Sequence, residues 1–281
     1  MPARARRTKT RSAKPLTADI PPARRICNLV PSKDVEQDWQ YEHAVTAGAM
    51  AAAARLPASV DLRKPWWTIG DQGQTGSCVG WATANGVVRY HLVEAKKLDK
   101  KLELSPRYVW MASKETDANT KRPESFIEAA GTSLKNALNV CRKFGVVPMN
   151  LLQFDINTLM YTGNEKAFYA AAAQRRITSF FNLKKNFNHW KSWLASHGPI
   201  LAGLYIDETW DNAKLTHGNV DEFKPSTIRG GHAVTIVGYL PNGRFIVRNS
   251  WGPVWGDKGY AYATPAYITA GFYDESYGVT V

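Results

Sequence analysis

The stretch that decides the fold reads DQGQTGSCVGWA and spans residues 71–82. Its glycine- and serine-rich turn ends at Cys78, and apolar residues spaced three and four apart from Gly76 to Leu92 then predict an amphipathic helix. Cys78 therefore lies at a predicted helix N-terminus, where the partial positive charge of the helix lowers a cysteine pKa and favours the thiolate. The stretch indicates a nucleophilic cysteine.

Two later stretches offer partners for this cysteine. GGHAV, residues 230–234, places His232 at the start of an apolar strand. RNSWG, residues 248–252, follows another strand and supplies Asn249, which can hold an imidazole in one tautomer, and Trp251, which can shield that hydrogen bond from water. The other histidines lack such a setting, and we interpret them as surface or structural: His43, His91, His189, His197 and His217.

The fold class follows from a change in the spacing of apolar residues along the chain. A second amphipathic helix is predicted over residues 134–144, with Gly145 ending it as a C′ glycine. Short apolar or alternating runs then predict strands at 199–206, 232–240, 244–248 and 259–263, and Asn242-Gly243 favours a hairpin turn. Helices followed by strands predict an α+β protein of two lobes, with the site in the cleft between them.

The charge of the chain is concentrated at its beginning. The net charge is +12, of which the first 25 residues carry +7. We interpret residues 1–55 as a basic N-terminal extension that precedes a domain over 56–281, with a helical lobe at about 70–160 and a β lobe at about 161–281. The run 44–54 is too short to span a bilayer, and the first 28 residues hold no signal-peptide core. The expectation is a cytoplasmic protein, or one exported by a non-classical or injection route.

The cysteines give no sign of a disulfide framework or a zinc site. Only Cys27, Cys78 and Cys141 occur, and they are widely spaced. A bridge between Cys27 and Cys141 stays open beside the alternative of two free thiols. No metal and no cofactor are expected.

Together these motifs resemble those of the papain-type cysteine peptidases, closest in pattern to the bacterial, disulfide-poor members. Residues 72–78 have the spacing of the family's Q-G-x-C-G-S-C block, and His232-Ala233 matches its histidine strand. Residues 249–260 match N-S-W-G-x-x-W-G-x-x-G-Y at every defined position, and 56–63 is similar to the mature N-terminus of such enzymes.

The sequence departs from the family pattern at three places. Thr75 stands where the family has a cysteine, so a bracing disulfide is absent, and Val79 replaces an aromatic residue. The separation of Cys78 from the histidine and asparagine exceeds the usual span of about 130–150 residues, which predicts an insertion near 207–229.

The resemblance implies a papain-like fold with a mainly helical lobe and an antiparallel, barrel-like β lobe. It implies catalytic roles for Cys78 as nucleophile, His232 as its partner, Asn249 as the residue orienting the imidazole, and Gln72 in the oxyanion hole. Cys78 and His232 are expected to rest as thiolate and imidazolium. An extended substrate would pair with Gly131 and Gly231, Trp251 would cover the His–Asn contact, and Gly203 and Ala233 would line a roomy pocket for a bulky apolar side chain.

Three functional hypotheses follow. The first is a monomeric cysteine endopeptidase acting on proteins or peptides, with residues 1–55 either an inhibitory propeptide or merely a tail. The second keeps the fold but makes the protein an acyl transferase, deamidase or isopeptidase for one protein target, for example an injected bacterial effector. The third is weak binding of nucleic acid or another acidic surface by residues 4–25.

Overall fold

The computed structural model describes residues 20–116, 130–155 and 163–281. Most of the basic arm, including residues 4–19, lies outside these ranges. The helices are α1 (Tyr41–Thr46), α2, α3 (Pro106–Thr116), α4 (Leu134–Lys143), α5 (Glu165–Ala173), α6 (Phe187–Ser196) and α7 (Pro265–Gly271). Helix α2 is continuous through Cys78–Trp81, the π-helical segment Ala82–Val88 and Arg89–Glu94.

One mainly antiparallel sheet forms the second lobe. Its strands are β1 (Val60–Asp61), β2 (Ser179–Asn182), β3 (Ile200–Ile206), β4 (Asn219–Val220), β5 (Gly230–Tyr239), β6 (Phe245–Arg248), β7 (Tyr260–Ala263) and β8 (Phe272–Thr280). Their order is β2-β8-β3-β5-β6-β7-β4, with β1 paired to β5 and β4 parallel to β7. Strand β5, which contains His232, is thus central.

Helix α2 packs directly on β5, and this contact brings the cysteine lobe to the histidine lobe. Gly86 allows the close approach, because a Cβ there would collide with the Thr235 hydroxyl. The π-helical turn leaves a carbonyl of Ala82 facing the sheet, and the Thr235 hydroxyl donates to it over 3.2 Å. The two lobes therefore meet through a specific hydrogen bond from a side chain to the backbone next to the site.

The predicted α+β fold class and its main elements are confirmed. Strands β3, β5, β6 and β7 coincide with the predicted runs, and Gly145 ends α4 with a positive φ of 87°. Strand β8 was not predicted, because its sequence FYDESYGVT looks polar. In the structure Glu275 and Ser276 are nevertheless buried, since β8 lies between β2 and β3.

The described part of the N-terminal extension, residues 20–55, packs against the domain. Tyr41 is buried edge-on against Trp193, and its hydroxyl shares a 3.1 Å hydrogen bond with Ser192. Asp38 accepts a hydrogen bond from the Tyr277 hydroxyl at 2.8 Å. Among the described residues, no helix is both long and apolar enough to cross a membrane.

Candidate active site

The loop that leads to Cys78 is held rigidly by hydrogen bonds. The Gln72 N–H donates to the Ser250 carbonyl at 2.8 Å, and the Ser250 hydroxyl donates to the Gln72 side-chain oxygen at 2.8 Å. Thr75 donates to the Gln72 carbonyl at 2.7 Å and accepts from the Ser77 hydroxyl at 2.6 Å. Buried hydroxyl groups thus brace the loop where Thr75 replaces the cysteine of the family pattern.

Cys78 begins α2 and is fully buried. Its thiol lies beside backbone N–H groups of Val79, Ala233 and Asn28. Ala233 follows His232 in β5, so the thiol meets the histidine strand. Burial outweighs these hydrogen bonds and raises the pKa of Cys78 to about 11.

His232 and Asn249 form a sheltered hydrogen bond. The Asn249 side-chain oxygen accepts from the Ser250 N–H and lies 2.8 Å from His232 Nε2, which fixes the proton of the neutral ring on Nε2. Trp251 lies 5.1 Å from the imidazole and Trp210 lies 5.9 Å from it, measured between ring centroids. His232 Nδ1 is buried and has no hydrogen-bond partner within the described ranges, so its lone pair is available as a base.

The resemblance implies a thiolate–imidazolium pair, whereas burial in this covered site disfavours the charged forms of both groups. Burial lowers the pKa of His232 to about 4, against the opposing effect of its hydrogen bond to Asn249, and the charges of Arg229 and Arg25 lower it further. With the pKa of Cys78 near 11, thiol and imidazole are both neutral at pH 7. Burial is the physical cause, since desolvation penalises both charged forms, and Asn28 and Leu29 of the extension contribute to the cover over Cys78.

Residues 25–30 of the extension occupy the groove between the lobes. The Gln72 side-chain amide donates to the Ile26 carbonyl at 3.2 Å. Further along, the Leu29 N–H donates to the Gly231 carbonyl at 2.9 Å, and the Val30 N–H donates to the Thr132 carbonyl at 3.1 Å. The backbone contact expected for a substrate at Gly231 is made here by the chain itself, and Thr132, next to Gly131, accepts the other hydrogen bond.

The predicted substrate-binding residues all line this occupied groove. A Cβ on Gly131 would collide with the Asn28 carbonyl, so only glycine lets the extension approach this closely. Ala233 is buried at the Cys78 thiol. The predicted roomy pocket is partly filled, because the Tyr273 side chain lies against Gly203 and Gly231 and the Leu29 side chain lies against Gly203.

Four site residues were missed by the sequence reasoning. Thr132 provides a carbonyl and Tyr273 donates to the Leu29 carbonyl at 2.7 Å. Trp210, in the predicted insertion, packs edge-on against Trp251 and stacks on Trp255. The fourth is Asp71, which binds Arg25. Its place directly before Gln72 was a usable signal, whereas the other three depend on packing between distant segments.

The cysteines and acidic groups carry no bridge or metal cluster in the described part of the chain. Cys27 lies in the groove near Cys78, whereas Cys141 is buried in α4, and all three thiols are free. The bridge between Cys27 and Cys141 is therefore not formed. No group of three or more His, Cys, Asp or Glu side chains within the described ranges is arranged to hold a metal ion.

Comparison with known families identifies the class of this protein. The model of the papain family of cysteine proteases matches residues 56–276, and the chain therefore belongs to that family. Curated relatives include an uncharacterized peptidase C1-like protein of Acanthamoeba polyphaga mimivirus, 27% identical over 68% of this chain and 62% of that protein. Cathepsin K of Mus musculus is 27% identical over 74% of this chain and 59% of its own length. The chain thus spans less than two thirds of these relatives.

Solved structures show the same fold. Xylellain, a cysteine protease from Xylella fastidiosa, superposes with a TM-score of 0.73 at 23% identity, over 92% of this chain and 97% of that chain. Procathepsin L2 from the Tenebrio molitor larval midgut gives a TM-score of 0.68 at 19% identity, over 92% of this chain and 79% of that chain.

Proposed function

We propose that this protein is a cysteine endopeptidase that hydrolyses peptide bonds through an acyl-enzyme. The observation that carries the proposal is the convergence of Gln72, Cys78, His232 and Asn249 at one groove that already holds an extended peptide segment. The family supports cysteine protease chemistry, and the geometry of these residues supports the individual roles.

The proposed reaction begins when the groove opens to water and substrate. His232 Nδ1 takes the Cys78 proton, and the thiolate attacks the scissile carbonyl carbon. The oxyanion is held by the Gln72 amide and the Cys78 N–H, while Asn249 keeps the imidazole in place. His232 then protonates the leaving amine, and a water molecule hydrolyses the thioester to regenerate the thiol.

We further infer that residues 20–55 keep the enzyme latent. His232 must reach the leaving nitrogen, so the leaving half of a substrate lies toward Trp251 and the acyl half toward Gly131. The extension runs the other way, with Arg25 at Trp251 and Val30 at Thr132. A reversed chain covers the groove without presenting a carbonyl in the orientation for attack. The likeness in fold to a procathepsin supports this inference.

The experiment that tests hydrolysis also addresses the alternative of transfer to a protein target. A peptide library is incubated with the chain, with and without methylamine, and the products are identified by mass spectrometry. Hydrolysis predicts new C-terminal carboxylates on many peptides and their loss in Cys78→Ala. Products that are mainly methylamides, or side-chain deamidation without backbone cleavage, would instead identify a transferase or a deamidase. Cleavage confined to isopeptide bonds would identify an isopeptidase.

A further inference from the structure

A cavity adjoins the site on the side of the leaving group. It has a volume of about 890 Å³, and its apolar walls include Ile69, Phe154, Trp251 and Val254. In this structure Ile20, Pro21, Pro22 and Arg25 of the extension form part of its wall, and Arg25 binds Asp71, which directly precedes Gln72.

The Arg25 guanidinium is held there by several hydrogen-bond acceptors of the domain. It binds both oxygens of Asp71, and the Nη2–Oδ2 distance is 3.0 Å. It also donates to the Gly73 carbonyl at 3.2 Å and to the Trp251 carbonyl at 3.4 Å. The side chain of Arg25 is only 4% exposed, so this charge is bound inside the protein.

Asp71 is positioned by the same loop that places the oxyanion hole. It directly precedes Gln72, and its Oδ1 accepts from the Gly73 N–H at 2.9 Å. A Cβ on Gly252 would lie 2.9 Å from Asp71 Oδ2, so the backbone at Gly252 also lies close to the carboxylate. The carboxylate is therefore fixed before any substrate arrives.

The other carboxylate in this wall, Asp211, has a partner outside the extension. Asp211 pairs with Arg229 at 3.1 Å, and that guanidinium lies over the Trp251 ring at 5.6 Å from its centroid. Lys214 also lines the cavity. Removal of residues 20–30 takes the guanidinium partner from Asp71 but leaves the Asp211 pair intact.

We propose that Asp71 is a specificity-determining residue, which binds an arginine side chain at the first or second residue after the scissile bond. The inference rests on the proposed peptide hydrolysis and names the substrate class of that same site. Arginine fits better than lysine because its planar fork matches the carboxylate and the two neighbouring carbonyls, while the apolar walls accept its aliphatic stem. Arg25 occupies this place although the extension runs through the groove in the direction opposite to that of a substrate.

The test uses the full chain with Arg25→Ala and Leu29→Ala, which frees Asp71 and loosens the extension. Quenched-fluorescence peptides differ only at these two positions, carrying arginine, lysine, neutral citrulline or norleucine. We expect kcat/KM to favour arginine over citrulline by about 10- to 100-fold, the range for a hydrogen-bonded charge. In the Asp71→Asn chain this ratio falls to about 1 to 3, whereas the matched control Asp211→Asn retains it.

A ratio near one with Asp71 intact, or one that persists in Asp71→Asn, would overturn the inference. Rates are normalised to active sites titrated with a thiol probe. If the probe labels Cys78 and no peptide is cleaved, hydrolysis itself fails. Asp71 is then tested separately by measuring how well peptides protect Cys78 from labelling by the probe. We expect a peptide that begins with arginine to protect Cys78, and a peptide that begins with citrulline to give no protection. Equal protection by both peptides would overturn the inference in that case.

Discussion

Truncation of Leu29 tests whether the extension controls access to Cys78. Leu29 is 4% exposed, belongs to the core cluster that contains Cys78, and has its Cδ2 2.8 Å from where a Cβ on Gly203 would stand. Its backbone bonds to Gly231 and Tyr273 do not involve the side chain. Leu29→Ala therefore removes apolar contacts alone.

The expected effect is large enough to measure. Leucine-to-alanine changes in a core destabilise by about 2–5 kcal/mol, and the lower part of the range, about 2–3 kcal/mol, applies here because the groove can refill with water. This loss of free energy weakens only the docking of the extension. The fraction of molecules in which the extension has left the groove therefore rises by about 25- to 150-fold. Cys78 is fully buried in the docked state, so its rate of alkylation should rise by the same factor.

The assay is the rate of iodoacetamide labelling of Cys78 at fixed pH, followed by peptide mass spectrometry. Val30→Ala is the matched control, because Val30 is 40% exposed and adjoins Leu29. Thermal unfolding of each variant shows whether the domain stays folded at the assay temperature. Labelling of Leu29→Ala within about twofold of the control would refute the reasoning, as would a full-length chain that already reacts like a free thiol.

Three further results are expected. Burial raises the pKa of Glu275 from its ordinary 4.5 to about 7, so this carboxyl stabilises the folded chain fully below pH 4.5 and loses that contribution as the pH rises to 7. The melting temperature relative to Glu275→Gln should then fall from about pH 5 to 7 and level off, and a constant difference would contradict this. Gln72→Ala should lower kcat by about 100- to 1,000-fold through the lost oxyanion donor; exposed Gln74→Ala serves as control, and equal losses would exclude that role. Thr75→Val removes two buried hydrogen bonds and should lower the melting temperature by about 2–8 °C, with an unchanged midpoint counting against the brace.

The sequence was informative where local chemistry decides the structure. The turn before Cys78, the C′ glycine at 145 and the hairpin at Asn242-Gly243 could be predicted because each depends on a few neighbouring residues. The polar strand β8 could not, since Tyr273 and Glu275 are buried by β3 and by the extension rather than by their own sequence.

The protonation state of Cys78 and His232 also could not be predicted from the sequence. A cysteine at a helix start favours the thiolate, yet the pKa of Cys78 is raised because the thiol is buried. Part of its cover, Asn28 and Leu29, comes from a segment about 50 positions away in the chain, whose direction in the groove no local pattern encodes. The same long-range packing brings Arg25 to Asp71.

The most direct test of the central claim is intact-mass spectrometry of the Leu29→Ala chain, mixed with an activated peptide ester and quenched in acid. Acyl-enzyme catalysis predicts an acyl adduct that maps to Cys78, decays as the free peptide acid accumulates, and is absent in Cys78→Ala. An adduct on another residue, or release of the acid at an undiminished rate by Cys78→Ala, would contradict it.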